Sequence, residues 1–283
     1  MFRKRSVWLY LLPGLIGLLA FYLVPFVWGI WFSLTDGSID NRFVGFSNYQ
    51  RVWQNEVFRL GLKNTIELSL LCAPVIFVLS FLLAGMLRKP IAGGGFFRNA
   101  LLMPYLMPSS AMLIIWLLLF DYGGVVNRLF VALGQGRVFW LEGGALRVPI
   151  VLLYIWKNLG FSVVIFTAAL QAVPESLYEY ASLEGAGWLR REISITLPQV
   201  LPTAFLVLVL AIVNAFKIFK EVYFIGGAYP DESIYTLQHY MNNKFSKLDY
   251  QDVTTAAYSF AVIVIALFLL MYRTKSVRQG ETA

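Results

Sequence analysis

Four polar side chains interrupt long apolar stretches of this sequence: Lys157, Asn158, Asn214 and Lys217. Polar groups at membrane depth are costly, and they usually face a cavity or the interior of a helix bundle. Close to them stand four aromatic residues, Tyr154, Trp156, Phe161 and Phe216. Aromatic faces beside hydrogen-bonding side chains suit the binding of a sugar, so these eight residues form a candidate solute pathway. In the alternative interpretation, the lysines reach out to the membrane surface and the asparagines bond between helices.

Several kinds of chemistry are excluded by the residues that the sequence contains only once or not at all. The single cysteine, Cys72, rules out an internal disulfide framework and any multi-cysteine metal site. The single histidine, His239, rules out bis-histidine haem ligation within the chain and the HExxH metalloprotease motif. No GxxxxGK[ST] loop is present to hold the phosphates of a nucleotide, so we expect no ATP hydrolysis by this chain. The sequence therefore predicts a protein that is not itself an enzyme.

The composition indicates a protein of the membrane. Of 283 residues, 59% are hydrophobic and only 14% are charged, far from the average of soluble domains. The apolar runs are continuous, unlike the alternating strands of a membrane β-barrel. We predict an all-α integral membrane protein, one transmembrane domain over residues 1–283. Its six helices are predicted at about 7–34, 62–87, 101–120, 148–171, 201–222 and 254–272.

The net charge of +7 fits membrane topology better than nucleic-acid binding. The basic residues are scattered over short connections instead of being gathered on one helix or arm. Those in the predicted inner segments, such as Arg88, Arg98 and Arg273, lie close to helix ends, where positive charge favours the cytoplasmic side. We therefore predict that both termini are cytoplasmic, that membrane lipid surrounds the protein and that nucleic acid is not a partner.

The connection between the fourth and fifth predicted helices carries a distinct local pattern. Pro174 suits a helix start, good helix formers follow from Glu175 to Glu184, and Gly185 can adopt a positive φ. The segment 174–198 is thus predicted to be a short helix, a sharp bend and a second helix leading to Pro198. We call this segment the elbow.

One face of the first elbow helix would combine apolar, small and acidic residues: Leu177, Tyr180, Ala181 and Glu184. Such a face suits docking into a groove on another protein. The alternative is an amphipathic connector that lies among lipid headgroups. The acidic residues Glu175, Glu179 and Glu184 argue against it, because cytoplasmic leaflets are themselves negatively charged.

The elbow resembles the signature loop of binding-protein-dependent ABC importer permeases. In that loop, glutamate, two alanines, an acidic residue, glycine and alanine precede a hydrophobic-Thr-Leu-Pro ending. The matching positions here are Glu179, Ala181, Glu184, Gly185, Ala186, Ile195, Thr196, Leu197 and Pro198. Tyr180 departs from the usual alanine, and Glu184 replaces the commoner aspartate.

The resemblance covers nearly the whole chain and is closest to the maltose-type, carbohydrate-uptake class. Similar segments are YLLPGLIGLLAFYLVPFVWGIWFSLTD, FVGFSNYQRVW, FFRNALLMPYLMPSSA and WKNLGFSVVIFTAALQAVPESLYE. The class usually has a T-x-G-G-P-like turn after helix five, whereas this chain has FIGGAYPDES from Phe224 to Ser233.

The resemblance implies a bacterial or archaeal inner-membrane permease that imports a sugar or oligosaccharide. Its implied partners are a second permease, more plausibly a different chain, two ATPase subunits that bind ATP and Mg²⁺, and an extracytoplasmic solute-binding protein. The elbow would enter a cleft of one ATPase through Glu175, Leu177, Glu179, Tyr180, Ala181, Glu184, Gly185 and Ala186. The sugar pathway of the family also draws on helices four and five.

An ion-coupled secondary transporter is the alternative function. It also needs several apolar helices and a few polar groups at membrane depth, and it requires a carboxylate within a span to couple the ion. The sequence suggests Glu67, near the outer end of the second predicted helix, as the one candidate for that role.

Overall fold

The computed structural model describes residues 4–88, 93–216 and 218–280, and regular structure in these ranges is helical apart from an isolated β-bridge between Thr35 and Phe43. Six helical stretches are long and apolar enough to cross a membrane. They are Tyr10–Ser33, Glu56–Met86, Ser109–Ala132, Gly143–Gln171, Trp188–Gly226 and Tyr250–Leu270. The prediction of an all-α membrane protein with six transmembrane helices and an elbow between the fourth and fifth is confirmed.

The α-helices of the described ranges follow one another along the chain. They are α1 (Lys4–Leu18), α2 (Val24–Ser33), α3 (Ser47–Gln54), α4 (Glu56–Met86), α5 (Gly94–Leu106), α6 (Ser109–Phe120), α7 (Val125–Ala132), α8 (Arg147–Gln171), α9 (Glu175–Leu183), α10 (Trp188–Arg191), α11 (Leu197–Ala215), α12 (Phe219–Gly226), α13 (Leu237–Ser246) and α14 (Tyr250–Gly280). Two π-helical segments, Leu19–Leu23 and Glu192–Thr196, join α1 to α2 and α10 to α11.

Two of the spans that the sequence predicts are interrupted. The predicted span 101–120 is divided at Met107, whose extended backbone (ψ 144°) separates α5 from α6. The next residue is Pro108, and a proline disfavours the helical conformation of the residue before it. The fifth span is divided between Ala215 and Phe219, where no proline or glycine occurs. Both interruptions therefore place helix ends inside segments that the sequence predicts to be single, continuous helices.

The fifth span begins earlier than the sequence predicts, at Trp188 instead of about residue 201. Pro198 lies near its start and has no N–H to donate to the preceding turn. The segment Glu192–Thr196 adopts a π-helix there, and the N–H of Leu197 bonds to the carbonyl of Glu192, five residues back. The wider turn lets the helix run from α10 into α11 without a break.

The described residues separate into two compact units. One comprises residues 4–60 and 240–280, and the other is Gly61–His239. In the first unit, the carboxylate of Asp252 in α14 accepts a hydrogen bond from Arg51 of α3 at 2.6 Å and pairs with Lys244 of α13 at 2.6 Å. The hydroxyl of Tyr258 also donates to the carbonyl of Phe26 in α2. These contacts fasten α2, α3 and α13 to α14.

The second unit contains the elbow and the candidate solute residues. Its helices α5 and α8 approach so closely at Gly160 that an added Cβ would lie 1.8 Å from the carbonyl oxygen of Leu101. The rings of Tyr105 and Phe161 stack beside this crossing, with centroids 4.9 Å apart. One buried cluster joins α4, α8 and α11 through Ala84, Phe166 and Val200, among others. The elbow is therefore attached to a tightly packed set of helices.

His239 lies in the same unit, outside the membrane-spanning stretches, and is fully buried. Its Nδ1 accepts a hydrogen bond from the backbone N–H of Thr236 at 3.2 Å, and the rings of Phe219 and Tyr235 pack against it. Burial lowers the pKa of His239 to about 4. The imidazole is therefore neutral at physiological pH, with its proton on Nε2, and it serves as part of the packed interior.

This arrangement predicts that acid weakens the fold through His239. Its pKa is about 6.5 in the unfolded chain and about 4 in the folded one. Between these values the unfolded state binds more protons, so stability is complete above about pH 6.5 and falls by up to about 3 kcal/mol towards pH 4. Thermal unfolding of the detergent-solubilised protein at about pH 7.5 and about pH 5 measures the loss. The variant His239→Gln cannot be protonated, and an equal loss in that variant would assign the pH dependence to other groups.

Candidate functional site

The elbow contains the turn that its sequence predicts. Helix α9 follows Pro174 and ends where Gly185 adopts φ +76°. The N–H of Gly185 bonds to the carbonyl of Ser182 at 3.0 Å, and the N–H of Ala186 bonds to that of Ala181 at 2.9 Å. This pair of bonds satisfies the last carbonyls of the helix and needs a left-handed residue at the position of Gly185. The chain then turns into α10.

The outward side of the elbow carries most of the predicted docking residues. Glu175, Leu177, Glu179, Tyr180, Glu184 and Gly185 are exposed, whereas Ala181 and Ala186 are half-buried. Three large apolar residues that the sequence analysis does not select are also exposed, namely Leu183 (85%), Trp188 (69%) and Leu189 (62%). The sequence signal for these three residues is the high content of apolar residues in this segment. These residues lie close in sequence to the carboxylates of the elbow, and Trp188 and Leu189 also begin the fifth membrane-spanning stretch.

The inward side of the elbow is tied to two membrane helices. The guanidinium of Arg88, just beyond α4, lies 4.0 Å from the centroid of the Tyr178 ring. The same guanidinium lies 3.7 Å from the carboxylate of Glu192. The Tyr178 hydroxyl forms a 2.7 Å hydrogen bond with Thr196, which is fully buried. We call Arg88, Tyr178, Glu192 and Thr196 the clasp.

Three of the predicted solute residues meet in one narrow cleft of the second unit. Asn158 and Phe161 of α8 and Asn214 of α11 line it, together with Ser162. The remaining lining is apolar: Ile76, Ile165, Val207, Leu210 and Ala211. The Asn158 amide donates to the carbonyl of Tyr154 within its own helix at 2.8 Å. Ser162, one turn beyond Asn158, is the polar residue of this cleft that the sequence analysis overlooks.

The other predicted solute residues lie elsewhere. Tyr154 is buried in an apolar cluster, where its hydroxyl has no hydrogen-bond partner among the described residues. Trp156 stacks on Trp116, with ring centroids 5.6 Å apart. Phe216 is half-buried and does not line the cleft. Lys217 lies outside the described residues. The arrangement thus separates Asn158, Phe161 and Asn214 from the rest of the predicted set.

Lys157 does not line the cleft, and its ammonium group does not extend to the membrane surface. Its ammonium lies 2.6 Å from the carboxylate of Glu221 in α12 and 2.9 Å from the hydroxyl of Ser109, the first residue of α6. The side chains of Lys157 and Glu221 are only 17% and 5% exposed. The ion pair therefore joins α8 to the starts of both helices that follow the interruptions.

The prediction that Glu67 is the one candidate carboxylate for ion coupling is wrong, because Glu221 also lies within a span. Glu67 is 40% exposed and pairs with Arg147 at 2.9 Å, whereas Glu221 is buried within a span. Asp252 is also buried within a span, and it pairs with Arg51 and Lys244. Glu221 already faces a fixed ammonium, so its charge is balanced without a transported ion. This pairing gives the ion-coupled alternative no support.

Residues 76–275 match a family model described as "Binding-protein-dependent transport system inner membrane component". Among curated relatives, the sn-glycerol-3-phosphate transport system permease protein UgpA of Yersinia pestis is 29% identical over 272 residues, covering 94% of this chain and 92% of the relative. The diacetylchitobiose uptake system permease protein NgcF of Streptomyces coelicolor is 32% identical over 286 residues, covering 93% of this chain and 80% of the relative.

Solved structures agree with these relatives. A chain from the crystal structure of a bacterial ABC transporter involved in the import of the acidic polysaccharide alginate superposes with a TM-score of 0.82 and 25% identity, over 96% of both chains. A chain from a bacterial alginate ABC transporter in complex with an alginate pentasaccharide-bound periplasmic protein superposes with a TM-score of 0.79 and 26% identity, over 95% of this chain and 93% of the other.

Proposed function

This chain belongs to the family of binding-protein-dependent transport system inner membrane components, and we propose on that premise that it is the permease subunit of an ATP-driven importer of a sugar or oligosaccharide. The observation that carries the proposal is the elbow, with an exposed apolar and acidic side between two membrane spans. ATP and Mg²⁺ would bind to separate ATPase subunits, since the sequence has no nucleotide-binding loop.

The outward side of the elbow is the proposed contact with the ATPase. Tyr180 and Leu183 are three residues apart on α9, and both are largely exposed. An amphipathic helix that lays such side chains into a groove is a common mode of protein recognition. Glu175, Glu179 and Glu184 would face basic residues of the groove and fix the direction of docking.

The remaining partners follow from the family and from the relatives. A second permease, a different chain, would complete the pathway, and an extracytoplasmic binding protein would deliver the solute. The chain would lie in the inner membrane of a bacterium or archaeon with both termini cytoplasmic. This orientation would put the elbow on the side where ATP is available. The basic residues beside the inner helix ends support this orientation.

The cleft around Asn158, Ser162 and Asn214 is the proposed contact with the solute. Amide and hydroxyl groups beside the Phe161 ring suit the polar edges and apolar faces of a sugar. Lys157 contributes no unbalanced charge, because Glu221 neutralises it. The relatives and solved structures are transporters of sn-glycerol-3-phosphate, diacetylchitobiose and alginate, so the candidate solutes for this chain include acidic and neutral compounds.

Purification of the tagged chain from its native host tests the proposal. We expect a separate ATPase chain and a second permease to copurify, and the complex in sealed vesicles to import solute only when ATP is supplied. The probes are sn-glycerol-3-phosphate, diacetylchitobiose and an alginate oligosaccharide, each presented with the binding protein. Uptake that follows an ion gradient and ignores ATP would establish the ion-coupled alternative instead.

The turn at Gly185 provides a matched pair of variants. Gly185 and Gly187 both have open space where a Cβ would be, but their φ values are +76° and −64°. Gly185→Ser forces a side chain into the left-handed region at a cost of about 1–2 kcal/mol, whereas serine is a favoured N-cap at the position of Gly187. We expect Gly185→Ser to lower the amount of solute imported per ATP hydrolysed and Gly187→Ser to leave it near normal. Equal ratios in the two variants would show that the turn does not set the direction of docking.

A further inference from the structure

We propose that the clasp makes the elbow and the inner ends of two membrane helices move as one body, with Arg88 and Tyr178 as its positioning residues. The proposal rests on the function proposed above, since it concerns how a movement of the elbow reaches the membrane. It assigns a role to residues that lie on or against the inward side of the elbow. These residues are not part of the proposed docking surface.

Three separate segments meet at the Tyr178 side chain. Tyr178 belongs to α9, Arg88 follows α4, and Thr196 ends the π-helical segment that leads into α11. Tyr178 makes two kinds of contact: its ring faces the guanidinium of Arg88, and its hydroxyl forms a hydrogen bond with the buried Thr196. A cation over an aromatic face and a hydrogen bond of 2.7 Å are direct, short-range contacts.

Arg88 closes the arrangement from the other side. Its guanidinium pairs with Glu192 at 3.7 Å while it lies over the Tyr178 ring. The side chains of Arg88 and Glu192 are only 22% and 30% exposed, so water screens this pair less than it screens a surface pair. Arg88 therefore links α4 both to the elbow and to the start of the fifth span.

Apolar packing supports the polar contacts. Tyr178 and Ile195 pack against a buried cluster that includes Leu87, Val173 and Val200. The outward residues Tyr180 and Leu183, by contrast, remain exposed on the opposite side of α9. The elbow is thus bound to α4 and α11 on one side and open to a partner on the other. A displacement imposed on the open side would be passed to both helices through the clasp.

The test measures whether the distance between the elbow and α4 stays constant during the ATP cycle. Spin labels on Met86→Cys and Ser176→Cys report it, since Met86 and Ser176 are exposed and the native Cys72 is fully buried. The complete transporter is studied in lipid nanodiscs, without nucleotide and after trapping with Mg-ATP and vanadate. We expect one unchanged distance in both states for the otherwise unmodified complex. A shift of that distance on trapping would overturn the proposal.

Variants of the clasp give the second arm. Arg88→Met removes the cation and the pairing with Glu192, and we expect the trapped state to show a shifted or broadened distance while ATP hydrolysis continues. Arg88→Lys keeps the charge and should restore much of the unmodified behaviour. Tyr178→Leu should act like Arg88→Met. If Arg88→Met and Tyr178→Leu both keep the unmodified distance in the two states, the clasp does not hold the elbow.

A second cation–aromatic pair of the same unit supplies the control. Arg137 lies 5.3 Å from the centroid of the Tyr122 ring, away from the elbow. Arg137→Met is expected to leave the Met86 to Ser176 distance unchanged in both states, and a shift as large as that of Arg88→Met would overturn the specific role of the clasp. Failure of an ATPase to copurify would refute the proposed function itself, which separates that outcome from a failure of the clasp.

Discussion

Replacement of Lys157 by methionine is expected to destabilise the protein by about 3–5 kcal/mol, the usual cost of leaving a buried charge without its partner. The carboxylate of Glu221 is only 5% exposed, and Lys157 is the cation that faces it at 2.6 Å. Removing Glu221 as well should recover most of the loss, because a buried ion pair replaced by apolar residues of similar volume is often neutral. The double variant is Lys157→Met with Glu221→Leu.

Lys63→Met is the matched control for this prediction. Lys63 and Glu67 form a pair 3.8 Å apart whose side chains are 71% and 40% exposed. Exposed pairs contribute about 0–1 kcal/mol, so the same substitution there should have little effect. Unfolding in detergent measures the three variants. A double variant as unstable as the single one would mean that packing around Lys157, and not the unpaired charge, causes the loss.

Gly160→Ala is expected to cost about 1–3 kcal/mol or more and to separate α5 from α8. The added Cβ would lie 1.8 Å from the Leu101 carbonyl oxygen, which belongs to backbone and cannot rotate away. The helices must move apart, which would disturb the stacked rings of Tyr105 and Phe161. Because Phe161 lines the cleft, we expect solute import to fall together with stability.

Gly85→Ala tests the same substitution where there is room. Gly85 lies inside α4, and among the described residues no atom outside its own stretch of helix comes within 4 Å of an added Cβ. Alanine is a better helix former than glycine by about 1 kcal/mol, so this variant should be neutral or more stable. Thermal unfolding and import measurements on both variants provide the comparison. If the two alanine variants behave alike, close contact between α5 and α8 is not required.

The elbow was largely predictable because its signals are local. Pro174 marks a helix start and Gly185 a left-handed end, and each acts within one or two turns of the residue itself. The number of membrane spans was predictable for a similar reason, since apolar length alone decides it. The clasp was not predictable in this way. Arg88 and Tyr178 are far apart in sequence, and nothing near either residue specifies the other.

The intramembrane charges show the same limit. Lys157 stands out in an apolar run, but its partner Glu221 is 64 residues away. Glu221 falls inside the predicted fifth span, yet only the packing of α8 against the interrupted helices shows that it is buried and neutralised. The interruption before Ser109 has a local signal in Pro108, whereas the one before Phe219 has none.

The π-helical turn of Glu192–Thr196 fixes the rotational setting of the elbow. One residue advances an α-helix by about 100°, whereas the wider π-turn accommodates one extra residue within a single turn. If this segment relaxed to regular α-helical geometry with all of its residues retained, α10 would swing by roughly 100° about the axis of α11. The Tyr178 hydroxyl would then no longer face Thr196. The π-turn thus sets the orientation of the elbow about the axis of α11.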